Sequence, residues 1–178
     1  MNARTKLAAV VAVTGAVAVA GSAAFAGGGK QLRASLDSYQ EVPAVSSAAS
    51  GTFHASVAGS GDEITYRLSY SDLEAAVTQA HIHFGQRAVA GGISVFLCSN
   101  LGNGPAGTQA CPAPPATIEG TIKAADVIGP AAQGIAAGEF DELMAAVRAG
   151  VTYANVHSTK WSGGEVRGQI RPGWGGGR

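Results

Sequence analysis

The chain has 178 residues, with twelve Lys and Arg against twelve Asp and Glu, four His, two Cys and 26 Gly. A formal charge of zero gives no field to draw in nucleic acid, and 46% hydrophobic against 13% charged residues is too apolar for a disordered chain. The length suits one domain with a core of its own.

The first 26 residues read as a targeting segment. Arg4 and Lys6 give a basic start, Leu7 to Phe25 is an uncharged run of mostly Ala, Val and Gly, and Ala24-Phe25-Ala26 is a small-x-small cleavage pattern. A signal peptide cut after Ala26 is expected. The competing reading, a retained membrane anchor, is disfavoured by the Ala/Gly-rich run and the lack of stop-transfer charges. After cleavage no membrane span is expected, and ten basic side chains remain against twelve acidic ones.

Past a Gly-rich joint at Gly27 to Gly29, segments alternate between apolar and polar residues with the period of strands buried on one face. Strands are predicted near Gln31–Leu36, Thr52–Val57, Glu63–Tyr70, Thr78–Phe84, Ile93–Cys98, Thr117–Lys123, Thr152–His157 and Glu165–Arg171. Gly59-Ser60-Gly61-Asp62 marks a tight hairpin between the second and third. From Glu139 to Ala149, Phe140, Leu143, Met144 and Val147 recur at helical spacing, with acids in the first turn and Gly150 as a stop, so one short surface helix is predicted. A further helical turn is expected to begin at Ala124, residues 129–138 read as a mobile loop, and the tail 172–178 as disordered. The domain proper is placed at 27–171.

Cys98 and Cys111 are the only cysteines, in a chain expected to leave the cytoplasm. A disulfide is the natural inference. Two free thiols or a two-Cys metal site are the alternatives, and no further Cys or His lies at ligand spacing.

The polar residues of three strands carry the chemistry. In Ala80-His81-Ile82-His83-Phe84 the apolar residues share one face, so His81 and His83 share the other, roughly 6 to 7 Å apart along the strand. The same logic sends Tyr153, Asn155 and His157 to one side of their strand, outward from Ala154 and Val156, and Glu165, Arg167 and Gln169 outward from Val166 and Ile170. If these strands are neighbours, three imidazoles meet and can hold copper or zinc, with Asn155, Glu165 and Arg167 as supporting groups. Glu165 could then orient a ligand imidazole and Arg167 pair with that carboxylate. Against this stands a plain hydrogen-bonded network with a surface ion pair. His54 is either a fourth ligand or an ordinary exposed histidine. Tyr66, Tyr70, Tyr153 and Trp161 read as core or rim residues. No catalytic residue is assigned: there is no Gly-x-Ser-x-Gly elbow and no phosphate-binding glycine loop.

Four islands resemble the CHRD (chordin-type) domain in order: Gln40-Glu41-Val42-Pro43, Ala80-His81-Ile82-His83, Gly150 with Tyr153-Ala154-Asn155-Val156-His157-Ser158, and Gly164-Glu165-Val166-Arg167-Gly168-Gln169-Ile170. The resemblance spans about Leu32 to Ile170. It implies an all-β fold, an immunoglobulin-like Greek-key sandwich or barrel of about seven or eight strands, distantly similar to copper/zinc superoxide dismutases, whose copper strand also carries His-x-His. The chain departs from the dismutases in having no His/Asp-rich zinc loop and no histidine between His83 and His157, which argues against dismutase activity. The expected function is therefore a secreted, non-enzymatic structural or interaction module, whose partner would be an extracellular protein or an envelope component. The alternative is a copper- or zinc-binding protein using His81, His83 and His157.

Overall fold

A computed structural model describes residues 30–173. The expected signal peptide and joint, and residues 174–178, lie outside the described residues. The strands are β1 (Lys30–Asp37), β2 (Ser50–Val57), β3 (Ile64–Ser71), β4 (Val77–Phe84), β5 (Gly92–Ser99), β6 (Ala116–Ile122), β7 (Thr152–Ser158), β8 (Val166–Gln169) and β9 (Arg171–Pro172). They pair antiparallel in the order β5-β4-β7-β8-β1-β2-β3-β6, with β9 also on β1. The all-β expectation holds: the sheet curls into a nearly closed barrel with one short helix, α1 (Phe140–Arg148).

Alternation explains the curl. Leu32, Ala34 and Leu36 of β1, Phe53, Ala55 and Val57 of β2, Ile64, Tyr66 and Leu68 of β3, and Ala80 and Ile82 of β4 all turn inward and are buried. A row of inward side chains is removed from water only if the sheet bends around it. The two free edges, β5 and β6, are bridged rather than paired. The Tyr66 hydroxyl donates to Leu97 O at 3.0 Å, and the Gln109 amide donates to both Leu97 O and Glu119 O at 3.1 Å.

The single strand expected at Glu165–Arg171 is divided. β8 pairs along β7 but meets β1 only at Asp37–Arg167, after which β9 takes over against Leu32 and Arg33. A Cβ on Gly168 would lie 2.3 Å from Ser35 O, so only glycine lets β8 come this close to β1. Residues 171–173, expected within or beside a disordered tail, are instead tied in: Gly173 N–H donates to Gln31 O at 2.6 Å.

Helix α1 follows its apolar spacing. Phe140, Leu143, Met144, Ala146 and Val147 are buried, Asp141 and Glu142 stand in the first turn, and Arg148 stands in the last. The turn expected at Ala124 is a 3-10 turn, Ala124–Asp126. Residues 129–138 differ from the mobile loop expected of an Ala/Gly-rich stretch. Ile135 is buried, Gln133 accepts from Gly92 N and donates to Phe84 O, and Gly138 N–H donates to Val127 O. Composition hid these long-range anchors.

Cys98 and Cys111 form a disulfide with Cα atoms 5.1 Å apart and a sequence separation of 13. It holds the 99–110 excursion to β5 beside Asn100, whose side chain donates to Val77 O and Cys111 O and accepts from Cys111 N. Replacing both cysteines by Ser is expected to lower unfolding free energy by about 3 kcal/mol, measured by urea denaturation. A loss below about 1 kcal/mol would mean that the Asn100 bonds alone fix the loop.

Candidate metal centre

β4 and β7 are neighbours, and their register brings the polar residues together. His81 faces Asn155, His83 faces Tyr153 and Gln79 faces His157; across the next pair Asn155 faces Arg167. The polar side of β4, β7 and β8 therefore carries a patch containing His81, His83, Tyr153, Asn155, His157 and Arg167. β4 also shows two register shifts against β5, at Ala80/His81 and Ile82/His83, and such irregularities locally re-aim side chains.

This side is not the solvent face that alternation alone suggests. His81, Asn155, Glu165 and Arg167 are at most 2% exposed, and His83 and His157 are also buried. Contacts from three loops account for this. The 85–91 loop receives Arg167 Nη2 at Gln86 O and Val89 O, at 3.1 and 3.0 Å. The 38–49 segment supplies Glu41 and Ser47, and the 158–164 turn supplies Ser162.

The three imidazoles converge, with one ring nitrogen from each lying within 4.8 Å of the others. His83 Nδ1 is 2.9 Å from Gly91 O, and His157 Nδ1 is 2.9 Å from Ser162 O. A carbonyl can only accept, so both Nδ1 atoms carry the proton and both Nε2 atoms carry a lone pair. His157 Nε2 lies 3.1 Å from His81 Nδ1, and His83 Nε2 is buried without a hydrogen-bond partner. Two nitrogens sharing an ion at about 2.0 to 2.1 Å each would stand roughly 2.8 to 3.4 Å apart for ligand angles of about 90° to 109°.

Electrostatics keep these rings neutral. Burial, followed by the neighbouring His157 and His83, drives the His81 imidazole down to about 2. Burial also lowers His83, to about 4, against the pull of the Gly91 carbonyl, and it lowers His157 against that of Ser162 O. Neutral imidazole is the form that binds a transition metal. The donor set and the unpartnered His83 Nε2 fit copper or zinc, with the His81 proton, which lies on Nδ1 in the contact with His157, moving to the equally unpartnered Nε2 when Nδ1 takes a metal.

The supporting groups are arranged differently from the sequence expectation. Glu165 orients no imidazole: its Oε1 accepts from Ser47 Oγ at 2.9 Å and from Glu74 N at 2.8 Å. The backbone carbonyls of Gly91 and Ser162 take the orienting role instead. Arg167 does not pair with Glu165. Its guanidinium lies 3.4 Å over the Tyr153 ring, which stacks on His83 with centroids 4.7 Å apart, so Tyr153 is part of the centre rather than only a core or rim residue. Tyr66 and Tyr70 are buried core residues. His54 is exposed on β2, outside the cluster.

Sequence reasoning missed Glu41, a residue 7% exposed whose carboxyl is pushed up to about 7, chiefly by burial, with Val42 N, Arg167 and Asn155 opposing. The signal was its place in Gln40-Glu41-Val42-Pro43. Phe96, edge-on to His81 at 4.5 Å between centroids, was also missed, because its strand shows no pattern that singles it out. Among the described residues no helix is long and apolar enough to cross a membrane.

Comparison with known proteins supplies one match. No curated protein and no solved structure matches the chain. The family model described as CHRD domain matches residues 32–170, which include all of β2 to β8 and all of β1 but its first two residues, and leave out β9. By that match over most of its length, the chain belongs to the CHRD domain family.

Proposed function

We propose that this chain is an exported CHRD module that holds one copper or zinc ion through His81, His83 and His157. The observation that carries the reading is the pair of tautomers imposed by Gly91 O and Ser162 O, which leaves two Nε2 lone pairs, one of them 3.1 Å from His81 Nδ1, in a cluster whose ring nitrogens lie within 4.8 Å of one another. Bound copper would supply one-electron redox chemistry, and bound zinc a fixed positive charge. The chain's own residues hold the imidazoles neutral and keep water from them. Export rests on the leader read at residues 1–26 and on the Cys98–Cys111 disulfide. An extracellular protein or an envelope component is the partner such a module would meet.

One observation favours a second reading, a purely structural polar network. The 3.1 Å contact of His81 Nδ1 with His157 Nε2 is a sound hydrogen bond without any ion. Titration with Zn(II) and Cu(II) while following thermal unfolding separates the two. One of the metals, at a hundred times its dissociation constant, is expected to stabilise by about 2.7 kcal/mol. His83→Gln and the His81→Ala/His83→Ala pair are expected to abolish the gain. No shift with either metal at saturation would leave the structural network as the function of these histidines.

A further inference from the structure

On the outer face of the sheet the register builds a second feature, remote in kind from the histidine centre. Arg171 of β9, Arg33 of β1, His54 of β2, Arg67 of β3 and Glu119 of β6 stand opposite one another in one cross-strand row. Strands are about 4.8 Å apart, so the row runs across the face in steps of that size. Glu119 pairs with Arg67, and Arg33 and Arg171 have no ion pair among the described residues. Two like charges directly opposite on neighbouring strands are unfavourable. The row beside them is Ser35, Thr52, Ser69 and Thr117, all hydroxyl-bearing.

The cations border a cleft. Arg33, His54 and Arg171 line a depression of about 390 Å³, which shares Gln40 and Gln169 with a second of about 240 Å³ lined by Tyr39 and Arg87 and floored by Glu41 and Arg167. Tyr39 is 71% exposed, the largest value among the exposed large hydrophobic residues, and Arg87 also has no ion pair among the described residues. The nearby carboxylate of Asp37 accepts from the Gln40 backbone and side chain.

We propose that this joined cleft binds an acidic polysaccharide, with Arg33, Arg171 and Arg87 pairing its carboxylates and Tyr39 lying against a sugar ring. The unpaired guanidiniums call for anions, and the serine, threonine and glutamine side chains supply hydrogen-bond partners for sugar hydroxyls. A second copy of the chain fits poorly, since it would set one cationic row against another. Nucleic acid is the weaker polyanion here because, among the described residues, the face offers a single exposed aromatic rather than a stacking series.

The test is calorimetric titration of the full chain with polygalacturonate, neutral dextran and oligothymidylate, with thermal melts to verify that each variant is folded. Polygalacturonate is expected to bind and dextran not to. Arg33→Ser/Arg171→Ser should weaken polygalacturonate binding about tenfold or more, and Tyr39→Ala about fivefold. The chain treated with EDTA should bind polygalacturonate equally well, which keeps this proposal independent of the metal reading. Absence of polygalacturonate binding, equal binding of dextran or oligothymidylate, or indifference to Tyr39→Ala in a folded variant would each overturn it.

Discussion

Acidification from pH 7 to pH 4 is expected to cost this domain a substantial part of its stability. His81 and His83 sit at about 2 and 4 in the folded chain, and His157 is also lowered, all three primarily by burial, against an ordinary value of 6.5. As pH falls through 6.5 the unfolded chain takes up protons on these imidazoles that the folded chain holds off, most firmly at His81 and His83, so stability is complete above that value and declines below it. Glu41 works in the opposite sense. Raised from 4.5 to about 7, it keeps in the folded state a proton that the unfolded chain loses, so it disfavours folding above pH 4.5 and relieves that cost in acid. His81 and His83 together, offset by Glu41 and helped by His157, leave a balance of at least about one proton and a slope of roughly 1 to 2 kcal/mol per pH unit below pH 6. Against a typical total of about 5 to 15 kcal/mol, the midpoint of urea unfolding should fall markedly between pH 6 and pH 4. A midpoint unchanged between pH 7 and pH 4 would mean that the imidazoles accept protons without leaving the folded state.

The second large effect comes from a backbone position. Gly91→Ala is expected to cost about 3 kcal/mol, because it puts an overlap into a packed turn. A Cβ there would lie 1.8 Å from Phe84 O and 2.6 Å from Phe84 C, backbone atoms at the end of β4 that cannot step aside. The same residue accepts from His83 Nδ1 through its carbonyl and donates to the Tyr153 hydroxyl through its amide, at 2.9 and 3.2 Å. Displacing the turn would release the His83 ring as well as weaken the fold, so metal-dependent stabilisation should fall together with urea resistance. Gly59→Ala is the control: nothing lies within 4 Å of its Cβ and stability should be unchanged. Equal stability of the two variants would show that the 85–91 turn is free to relax.

The difference between what alternation reveals and what it conceals is clearest on β4. Ala80, Ile82 and Phe84 mark one face and therefore place His81 and His83 together on the other, a deduction that needs only the two-residue period. That β7 would lie alongside was foreshadowed by Tyr153, Asn155 and His157 sharing their own face. What covers that face is invisible to periodicity. The 85–91 loop closes over it through carbonyls of Gln86, Val89 and Gly91, and a carbonyl leaves no mark in the residue pattern. For the same reason Glu165 looked like the partner of an imidazole. Its proximity in sequence to Arg167 was plain, whereas Ser47 and the Glu74 amide, which take its oxygen, are 118 and 91 residues away. The division of the last strand into β8 and β9 depends on the close approach of Gly168 to Ser35, a contact between distant segments rather than a property of either.

X-ray absorption at the metal edge of the chain loaded with one equivalent of Cu(II) or Zn(II) probes the convergence of the three rings most directly. Three imidazole nitrogens at about 2.0 to 2.1 Å, with the outer-shell scattering of intact rings, are expected for at least one metal, falling to two in His83→Gln. A spectrum fitted by oxygen donors with no more than one imidazole, for both metals, would contradict a shared site at His81, His83 and His157.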